Sequence, residues 1–408
     1  MERKKGIIEH MWQSAKNIFH LIVAFGANVW YGWPTRKLTV IGVTGTDGKT
    51  TTVNMVYQIL KSAGKKVSMV SSINAVVAGK AYDTGFHVSS PDPLIVQKFA
   101  SSAKQNGDQY LVLEVTSHAL DQYRFWGIKF DVGVITNITH DHLDYHGNWE
   151  NYFLTKAKLI KNVRIAIINA DEKHFERLKK LINGEVATFG FSEKADFNPK
   201  KVSLKLKMLG SYNVLNGLAA CAACINLNVD ISAVKSTLAS FSNLTGRMEE
   251  VKNNRGFKII IDFASTPNSL KEALKTLKEQ TKGKLIAVFG SAGRRDVEKR
   301  ALMGEIAATL ADIAIVTAED PRGDLELINK QIVSGAEKAG AKLNKNLFVI
   351  GRRDKAIDFA INKVAKKGDA IGFFGKSHEK SMNYTGKKEE PWDEFEAILQ
   401  SLKSKIKD

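Results

Sequence analysis

The sequence predicts an α/β fold with two parallel-sheet domains, the second of them Rossmann-like. Apolar runs of strand length alternate with helical patterns between residues 38 and 136, and the same alternation restarts near Gly246. Such alternation is typical of parallel strands joined by crossover helices. A chain of 408 residues is also too long for a single core. We therefore expect a short helical leader (1–36), a central domain (37–245) and a C-terminal domain (246–408).

The elements follow from apolar runs that end in polar turns. The central domain is predicted to contain strands at 38–43, 66–70, 110–115, 131–136 and 165–169, and helices at 50–63, 93–105 and 213–226. The C-terminal domain is predicted to contain strands at 258–262, 285–290, 313–317, 346–351 and 370–375. Ligands of such sheets gather at the carboxyl ends of the strands. The polar turns after the strands are therefore the candidate sites.

The leader carries no Asp, Glu, Lys or Arg between residues 17 and 35. His20, Asn28, two glycines and Pro34 interrupt this stretch, and no small-residue cleavage site follows it. It is therefore predicted to be neither a signal peptide nor a transmembrane span. A helix packed on the first domain is the main interpretation, and contact of residues 17–35 with a membrane surface is the minor one.

The composition indicates an anionic ligand. The chain has 60 Lys and Arg against 43 Asp and Glu, a formal net charge of +17. Because the lysines are scattered and no basic run occurs, we expect anionic small molecules as partners and no nucleic acid. The two cysteines, Cys221 and Cys224, stand among alanines and are interpreted as buried small residues. With no disulfide framework, a cytoplasmic protein is expected, and we expect a monomer.

A phosphate-binding loop follows the first strand of the central domain. Two glycines allow the backbone N–H groups to face a polyphosphate, Lys49 adds positive charge, and the Thr50 hydroxyl suits Mg²⁺. This pattern predicts a P-loop ATPase-like central domain that binds a nucleoside triphosphate. The residues assigned to the loop are Gly45, Thr46, Asp47, Gly48, Lys49, Thr50 and Thr51.

Further polar clusters follow other strands. Glu114 ends a strand, the usual place for a Mg²⁺ ligand beside a phosphate loop. The segment 140–146 holds three His and two Asp, and a nucleotide site nearby favours Mg²⁺ over zinc there because sulfur ligands are missing. Arg247 and Asp262 open the C-terminal domain. The turns 289–296, 320–322 and 375–379 bring arginines and a Glu toward one crevice, as for a zwitterionic ligand with carboxylates.

These motifs resemble the Mur ligase family, and within it the members that add the third residue of the cell-wall peptide. The matching stretches keep the family's order from about residue 38 to 380, namely 45–51, 89–92, 114–120, 136–147, 152–156, 213–216, 246–249, 320–322 and 375–379. The resemblance implies an ATP-dependent ligase that activates a carboxylate of UDP-N-acetylmuramoyl-L-Ala-D-Glu as an acyl phosphate. The amine of a diamino acid then attacks this intermediate and an amide forms.

The resemblance also implies roles for individual residues. It assigns Lys49, Glu114, His142 and a carbamylated Lys156 to catalysis, and it implies two Mg²⁺ ions held by Thr50, Glu114, His142 and Lys156. ATP contacts fall on the phosphate loop, Asn213, Asn216, Arg247 and Asp262. The assigned substrate residues are Ser89, Ser90, Thr116, Ser117 and Arg124 for the muramoyl peptide, and Arg295, Asp320, Arg322, Gly375 and Glu379 for the amino acid.

Several departures from the family pattern leave questions open. Only some 36 residues precede the core, so the family's N-terminal UDP-binding domain is expected to be missing. Arg322 favours meso-diaminopimelate, whereas Asp320 in place of Asn could favour lysine. Ser377 replaces a glycine. The alternatives are a related two-domain ligase acting on a folate, polyglutamate or pseudomurein-like acceptor, and a nucleotide-binding scaffold without catalysis.

Overall fold

The computed structural model describes residues 2–83, 90–242 and 244–404. These residues form two compact units. The first takes in 1–138, 149–207 and 213–241, and the second takes in 139–148, 208–212 and 242–408. Each unit is built on a mostly parallel sheet with helices, so the predicted α/β fold class is confirmed.

The leader forms one long helix, α1 (Glu2–Trp30), followed by a 3₁₀ turn (Pro34–Lys37). Asn28 fixes this helix to the first unit, since its amide donates to the carbonyl of Trp126 over 2.9 Å. The Asn17 amide also donates to Asp121 over 3.0 Å. Among the helices in the described part of the chain, none is both long and apolar enough to cross a membrane.

The first unit contains an eight-stranded sheet. Its strands are β1 (Thr39–Thr44), β2 (Val67–Val70), β3 (Asn74–Val77), β4 (Lys80–Asp83), β5 (Tyr110–Glu114), β6 (Val132–Ile135), β7 (Ile165–Asn169) and β8 (Glu185–Phe189). The helices between residues 49 and 240 are α2 (Lys49–Ser62), α3 (Pro93–Gln105), α4 (Ser117–Asp121), α5 (Leu143–His146), α6 (Trp149–Ala157), α7 (Phe175–Lys179), α8 (Pro199–Val202), α9 (Ser211–Ile225) and α10 (Ile231–Ser240). Of these, α5 lies in the part of the chain that clusters with the second unit.

The strand order of this sheet is β4-β3-β2-β5-β1-β6-β7-β8. Strand β1 lies between β5 and β6 and is parallel to both, with Val43 beside Glu114 and Thr44 beside Ile135. The turns after these three strands therefore start at the same edge of the sheet. This is the topological switch point at which open α/β sheets bind ligands.

The second unit contains a six-stranded sheet of order β13-β12-β11-β14-β10-β9. The strands are β9 (Glu249–Glu250), β10 (Lys258–Asp262), β11 (Leu285–Phe289), β12 (Ile313–Val316), β13 (Leu347–Val349) and β14 (Ala370–Phe374), and a separate pair is formed by β15 (Ser381–Met382) and β16 (Glu390–Pro391). The helices are α11 (Pro267–Gln280), α12 (Glu298–Leu310), α13 (Leu325–Lys338), α14 (Arg353–Phe359) and α15 (Glu394–Lys403), and a π-helical turn covers Ala360–Val364.

Side chains on the two faces of the sheet form two hydrophobic cores in the second unit. In β11, Leu285, Ala287 and Phe289 join one buried cluster, and Ile286 and Val288 join the other. Successive side chains of a strand point to opposite faces, so the sheet is buried on both sides. This explains why its strands are continuous apolar runs and could be recognised from sequence.

Strands without a continuous apolar run are not evident from the sequence. These strands are the hairpin β3–β4, the edge strand β8, and the short strands β9, β15 and β16. Strands β9, β15 and β16 are only two residues long, which is too short for an apolar run. Strand β8 (Glu185–Phe189) is only partly buried, so it gives no continuous apolar run either. Cys221 and Cys224 are buried in α9 as interpreted, and burial raises the pKa of Cys221 to about 12.

Candidate functional site

The phosphate loop joins β1 to α2. Gly48 precedes α2 with φ of +82°, and a Cβ at this position would lie 2.2 Å from Oδ1 of Asn216, so only glycine fits. The Lys49 ammonium donates to the carbonyl oxygens of Gly45 and Thr46 over 3.1 and 2.8 Å. The loop therefore has the shape and the positive charge that suit a polyphosphate.

A buried cluster of oxygen atoms lies at the start of α2. The Thr50 hydroxyl donates to Oε2 of Glu114 over 3.0 Å, and the same oxygen accepts the backbone N–H of Ser72 over 2.9 Å. The Ser72 hydroxyl lies 2.9 Å from that of Thr50. Hydroxyl and carboxylate oxygens are the donors that Mg²⁺ prefers. Sequence reasoning missed Ser72, although it too follows a strand, β2.

Lys156 on α6 lies against the phosphate loop. Its side chain is buried, and its ammonium donates to the carbonyl of Gly45 over 2.6 Å. The ring of Tyr152 lies 4.7 Å from this ammonium, and the Tyr152 hydroxyl lies 2.9 Å from that of Thr46. One turn of α6 thus brings both residues to the loop.

The turn after β6 forms hydrogen bonds with the phosphate loop. Asn137 accepts the backbone N–H of Asp47 over 3.0 Å and donates to the carbonyl of Asp47 over 3.1 Å. The Thr136 hydroxyl donates to the same carbonyl over 2.6 Å. Asn137 was not among the predicted site residues. Only the pairing of β1 with β6 reveals its contact with the loop.

Asn213 and Asn216 lie near the start of α9 and are both buried. The Asn216 amide donates to Oδ1 of Asn213 over 3.2 Å, and Oδ1 of Asn216 lies 3.5 Å from the Thr52 hydroxyl on α2. The structure therefore brings these two predicted residues together beside the phosphate loop.

A second polar group in the first unit surrounds Ser90. The Ser90 hydroxyl lies 3.1 Å from the hydroxyl of Thr116, which caps α4. Arg124 donates to the carbonyl of Ser90 over 3.1 Å. Ser117 is buried as the first residue of α4. The predicted Ser89 lies outside the described residues.

Helix α1 contributes a residue to this neighbourhood. Burial and the positive charge of Arg124 lower the pKa of His20, whereas Asp92 opposes the change. His20 therefore lies within electrostatic range of the Ser90–Arg124 group. The sequence analysis noted His20 only as an interruption of the apolar stretch.

In the second unit, Asp262 at the end of β10 lies beside the turn that holds Arg247. The Asp262 carboxylate accepts the backbone N–H of Met248 over 2.7 Å and of Ala264 over 2.9 Å. Arg247 lies over the ring of Phe263 at 4.6 Å, and the His378 ring is 4.9 Å from the same ring. Burial lowers the pKa of His378 to about 3, and Arg247 adds to the effect. His378 is therefore neutral at physiological pH.

Residues 139–148 belong to the second unit. His140 Nε2 lies 3.2 Å from Asp296, and His142 Nε2 lies 3.2 Å from Asp141. Burial raises the pKa of Asp144, the charge of Asp296 adds to the rise, and Arg295 opposes it. The loop thus combines imidazoles and carboxylates, and the predicted Arg295 lies within its electrostatic range.

The turn after β12 places Arg322 between carboxylates. Its Nε donates to Asp320 over 2.8 Å, and its Nη2 lies 3.6 Å from Glu389. Asp320 also accepts the backbone N–H of Asn383 over 2.7 Å. Glu389 was not predicted, because it approaches Arg322 only through the β15–β16 pair.

The turn after β14 carries Gly375, Lys376 and Glu379. The Lys376 ammonium donates to Glu379 over 2.6 Å and lies 4.0 Å from Asp320. Ser377 adopts φ of +49°, a conformation that favours glycine, and its hydroxyl donates to the carbonyl of Gly246 over 3.0 Å. This hydrogen bond compensates for the strain of a serine where the family pattern has glycine.

Glu319 is a further buried carboxyl that the sequence analysis did not assign to the site. It lies against Gly375, and its Oε2 is buried without a hydrogen-bond partner among the described residues. Burial raises its pKa from 4.5 to about 7, and nearby cations, of which Lys299 has the largest effect, oppose the rise. This carboxyl is therefore poised to change charge near neutral pH.

We expect Glu319→Gln to remove a pH dependence of stability. Because the folded pKa is raised, protonated Glu319 contributes stability that is complete below pH 4.5 and is lost as the pH rises through about 7. This loss amounts to about 3 kcal/mol in the free energy of unfolding of the second unit. Urea unfolding between pH 4 and 8 measures it. The exposed control Glu326→Gln should retain the wild-type profile, and an unchanged profile in Glu319→Gln would refute the assignment.

Comparisons with known proteins identify the two domains of this chain. Residues 43–224 match the Mur ligase middle domain, and residues 246–377 match the Mur ligase, glutamate ligase domain. The UDP-N-acetylmuramoyl-L-alanyl-D-glutamate--2,6-diaminopimelate ligase 1 of Clostridium acetobutylicum is 38% identical over 403 residues, which are 94% of this chain and 81% of that protein. The corresponding ligase of Geobacillus kaustophilus is 34% identical, with 88% of this chain and 77% of that protein covered.

Solved structures extend the comparison. A UDP-N-acetylmuramoyl-L-alanyl-D-glutamate--2,6-diaminopimelate ligase superposes with a TM-score of 0.58 at 27% identity, over 90% of this chain and 78% of that one. The folylpolyglutamate synthase of Mycobacterium tuberculosis gives a TM-score of 0.68 at 18% identity, over 87% and 92%, which shows a shared fold alone. From its two matching domains and its relatives, this chain belongs to the Mur ligase family, whose members are ATP-dependent ligases.

Proposed function

We propose that this protein adds a diamino acid, meso-diaminopimelate in preference to lysine, to UDP-N-acetylmuramoyl-L-Ala-D-Glu. The observation that carries the proposal is the buried group of Thr50, Glu114 and Lys156 around an intact phosphate loop. A scaffold without catalysis would have no need to keep a buried carboxylate and a buried lysine there, because burying unused charges is costly. The names of its relatives supply the substrate class.

The reaction proceeds in two steps. A carboxylate oxygen of the muramoyl dipeptide attacks the γ-phosphorus of ATP, the bond to ADP breaks, and an acyl phosphate forms. The amine of the diamino acid then attacks the acyl carbon, loses a proton, and expels phosphate as the amide forms. Both steps depend on positioning and on neutralising phosphate charge, which is the role we assign to this chain's loops and cations.

For the ATP half of the site, the phosphate-loop amides and Lys49 would hold the phosphates. The hydroxyl and carboxylate oxygens of Thr50 and Glu114 suit one Mg²⁺, and we assign His142 and carbamylated Lys156 to a second. When bound, the ions neutralise the charge of the transferring phosphoryl group. Asn213 and Asn216 are assigned to adenine, and Arg247 and Asp262 are assigned to ATP from the second unit.

Carbamylation would allow the buried Lys156 to serve as an anionic ligand of a metal ion. The Lys156 amine adds to CO₂, a C–N bond forms, a proton leaves, and the product is an N-carboxylate with two oxygens. The Lys156 ammonium lies 2.6 Å from the carbonyl of Gly45, so this carboxylate would form beside the phosphate loop. There it offers the oxygen ligands that a magnesium ion prefers.

The substrates are assigned to the two remaining polar groups. Ser90, Thr116, Ser117 and Arg124, together with Ser89, would hold the muramoyl peptide, and Arg124 supplies the positive charge that a carboxylate needs. The amino acid is assigned to Arg295, Asp320, Arg322, Gly375 and Glu379. Carboxylates on both sides of Arg322 would orient its guanidinium toward the distal carboxylate of diaminopimelate.

Phosphate release from ATP tests this proposal. We expect release that depends on both UDP-N-acetylmuramoyl-L-Ala-D-Glu and meso-diaminopimelate, and weaker release with lysine. Arg322→Ala should raise KM for diaminopimelate by about tenfold or more, because one charge-assisted hydrogen-bonded pair is lost, and should leave KM for ATP unchanged. The exposed Arg352→Ala provides the matched control. If no diamino acid supports release while ATP still binds, the acceptor is a different one, and an equal rise of KM for lysine would contradict the role of Arg322.

A further inference from the structure

One face of α1 presents large apolar side chains to solvent. Its members are Ile18, Phe19, Ile22, Phe25, Val29 and Trp30, which are between 52% and 82% exposed. We call them the outer face of α1. Ile18, Ile22, Phe25 and Val29 follow the spacing of one helical stripe. Single exposed apolar residues are ordinary, but a contiguous row of them indicates an interaction surface.

The opposite side of α1 anchors it to the first unit. Ala24, Ala27 and Asn28 are buried, and the Asn28 amide donates to the carbonyl of Trp126 over 2.9 Å. A Cβ at Gly127 would lie 2.7 Å from Asn28, so this approach requires glycine. The buried side of α1 therefore packs on the first unit, and the outer face is held in a fixed orientation toward solvent.

Along the chain, the charges that flank the outer face are positive. Lys16 precedes it, Arg36 and Lys37 follow it, and all three are exposed. No Asp or Glu occurs between residues 17 and 35. Arg36 lies 4.2 Å over the ring of Trp33, and Trp33 and Phe25 both contact Trp126 with ring centroids less than 6 Å apart. An aromatic cluster therefore joins the apolar row to the flanking cations.

We propose that the outer face of α1 docks on an anionic lipid bilayer surface. An apolar row with tryptophan and flanking lysine and arginine is the pattern of helices that lie in a membrane interface without crossing it. Charge complementarity favours lipid over a second copy of the chain. In either orientation, two copies would bring Lys16, Arg36 and Lys37 near one another, whereas anionic headgroups neutralise these cations.

Vesicle sedimentation of the full chain tests this docking. We expect the protein to pellet with phosphatidylcholine vesicles that contain about 30% phosphatidylglycerol, and to pellet less with pure phosphatidylcholine or at high salt. The tryptophan emission maximum of the wild-type protein should also shift to shorter wavelength when the protein binds vesicles. Ile22→Ser/Val29→Ser should lower the partition coefficient at least about tenfold, because two apolar side chains no longer enter the interface. Lys16→Gln/Lys37→Gln should weaken binding to anionic vesicles only.

The matched control is Leu327→Ser/Leu343→Ser in the second unit, whose side chains are 55% and 48% exposed. It should bind vesicles as the wild type does. Failure of the folded wild type to pellet with anionic vesicles would overturn the proposal, and so would unchanged binding of Ile22→Ser/Val29→Ser. Sedimentation velocity without lipid gives a third outcome. A dimer that Ile22→Ser/Val29→Ser dissociates would make the outer face an interface between copies and would also overturn lipid docking.

Discussion

Lys156→Ala should lower kcat for phosphate release by at least about a thousandfold, comparable to the loss of a principal electrostatic group in other enzymes. The Lys156 ammonium is buried and lies 2.6 Å from the Gly45 carbonyl, so the N-carboxylate formed there would have no replacement in the variant. Short carboxylic acids such as formate or acetate should restore part of the activity by occupying the space of the missing carbamate. Steady-state kinetics with and without these acids measure both effects.

A readout other than activity separates carbamylation from a purely structural role. Protein incubated with ¹³C-labelled bicarbonate should give a carbamate carbonyl resonance in the wild type and none in Lys156→Ala. Lys158→Ala is the matched control, since Lys158 is half exposed and lies 4.0 Å from Asp121. It should keep both the activity and the resonance. Full activity of Lys156→Ala would exclude the carbamate role.

The second large effect concerns stability. Arg353 and Glu394 form an ion pair whose side chains are both 0% exposed, with an Nη2–Oε1 distance of 2.6 Å. Arg353→Met would leave Glu394 buried without its cation, which costs about 3–5 kcal/mol in the free energy of unfolding of the second unit. Urea unfolding followed by circular dichroism measures this loss.

Arg353 also contacts the backbone next to two turns of the candidate site. Its guanidinium donates to the carbonyls of Ala318 and Phe374, at the ends of β12 and β14, over 3.1 and 2.9 Å. The turns with Asp320 and Gly375 start there, so Arg353→Met should also raise KM for the diamino acid. Arg352→Met is the matched control, and it should cost less than about 1 kcal/mol because its ion pair with Asp354 is exposed. Equal losses in the two variants would refute the importance of the buried pair.

The buried pair also shows which contacts sequence alone cannot predict. Arg353 and Glu394 are 41 residues apart, and neither stands in a motif of the family. The double variant Arg353→Met/Glu394→Leu should recover most of the lost stability, since replacing both partners by apolar groups removes the uncompensated charge. Coupling of this kind depends on which helices pack together, here α14 and α15.

The fold class, the phosphate loop and the family can be recognised from the amino-acid sequence. Continuous apolar runs such as 165–169 and 285–289 predicted buried parallel strands, because such strands are covered on both faces. The loop from Gly45 to Thr51 was readable because strand, glycine turn and helix follow one another directly along the chain. A motif formed by consecutive residues can be recognised without knowledge of the tertiary structure.

Which side chains contact one another depends on the tertiary structure. Ser72, Asn137, Glu319 and Glu389 contact predicted site residues, yet strand pairing and packing bring them there from distant parts of the sequence. The outer face of α1 likewise could not be identified from its apolar composition, which fits a buried helix equally well. Exposure of a side chain depends on what packs against it. That information is carried by the fold as a whole and not by any one segment.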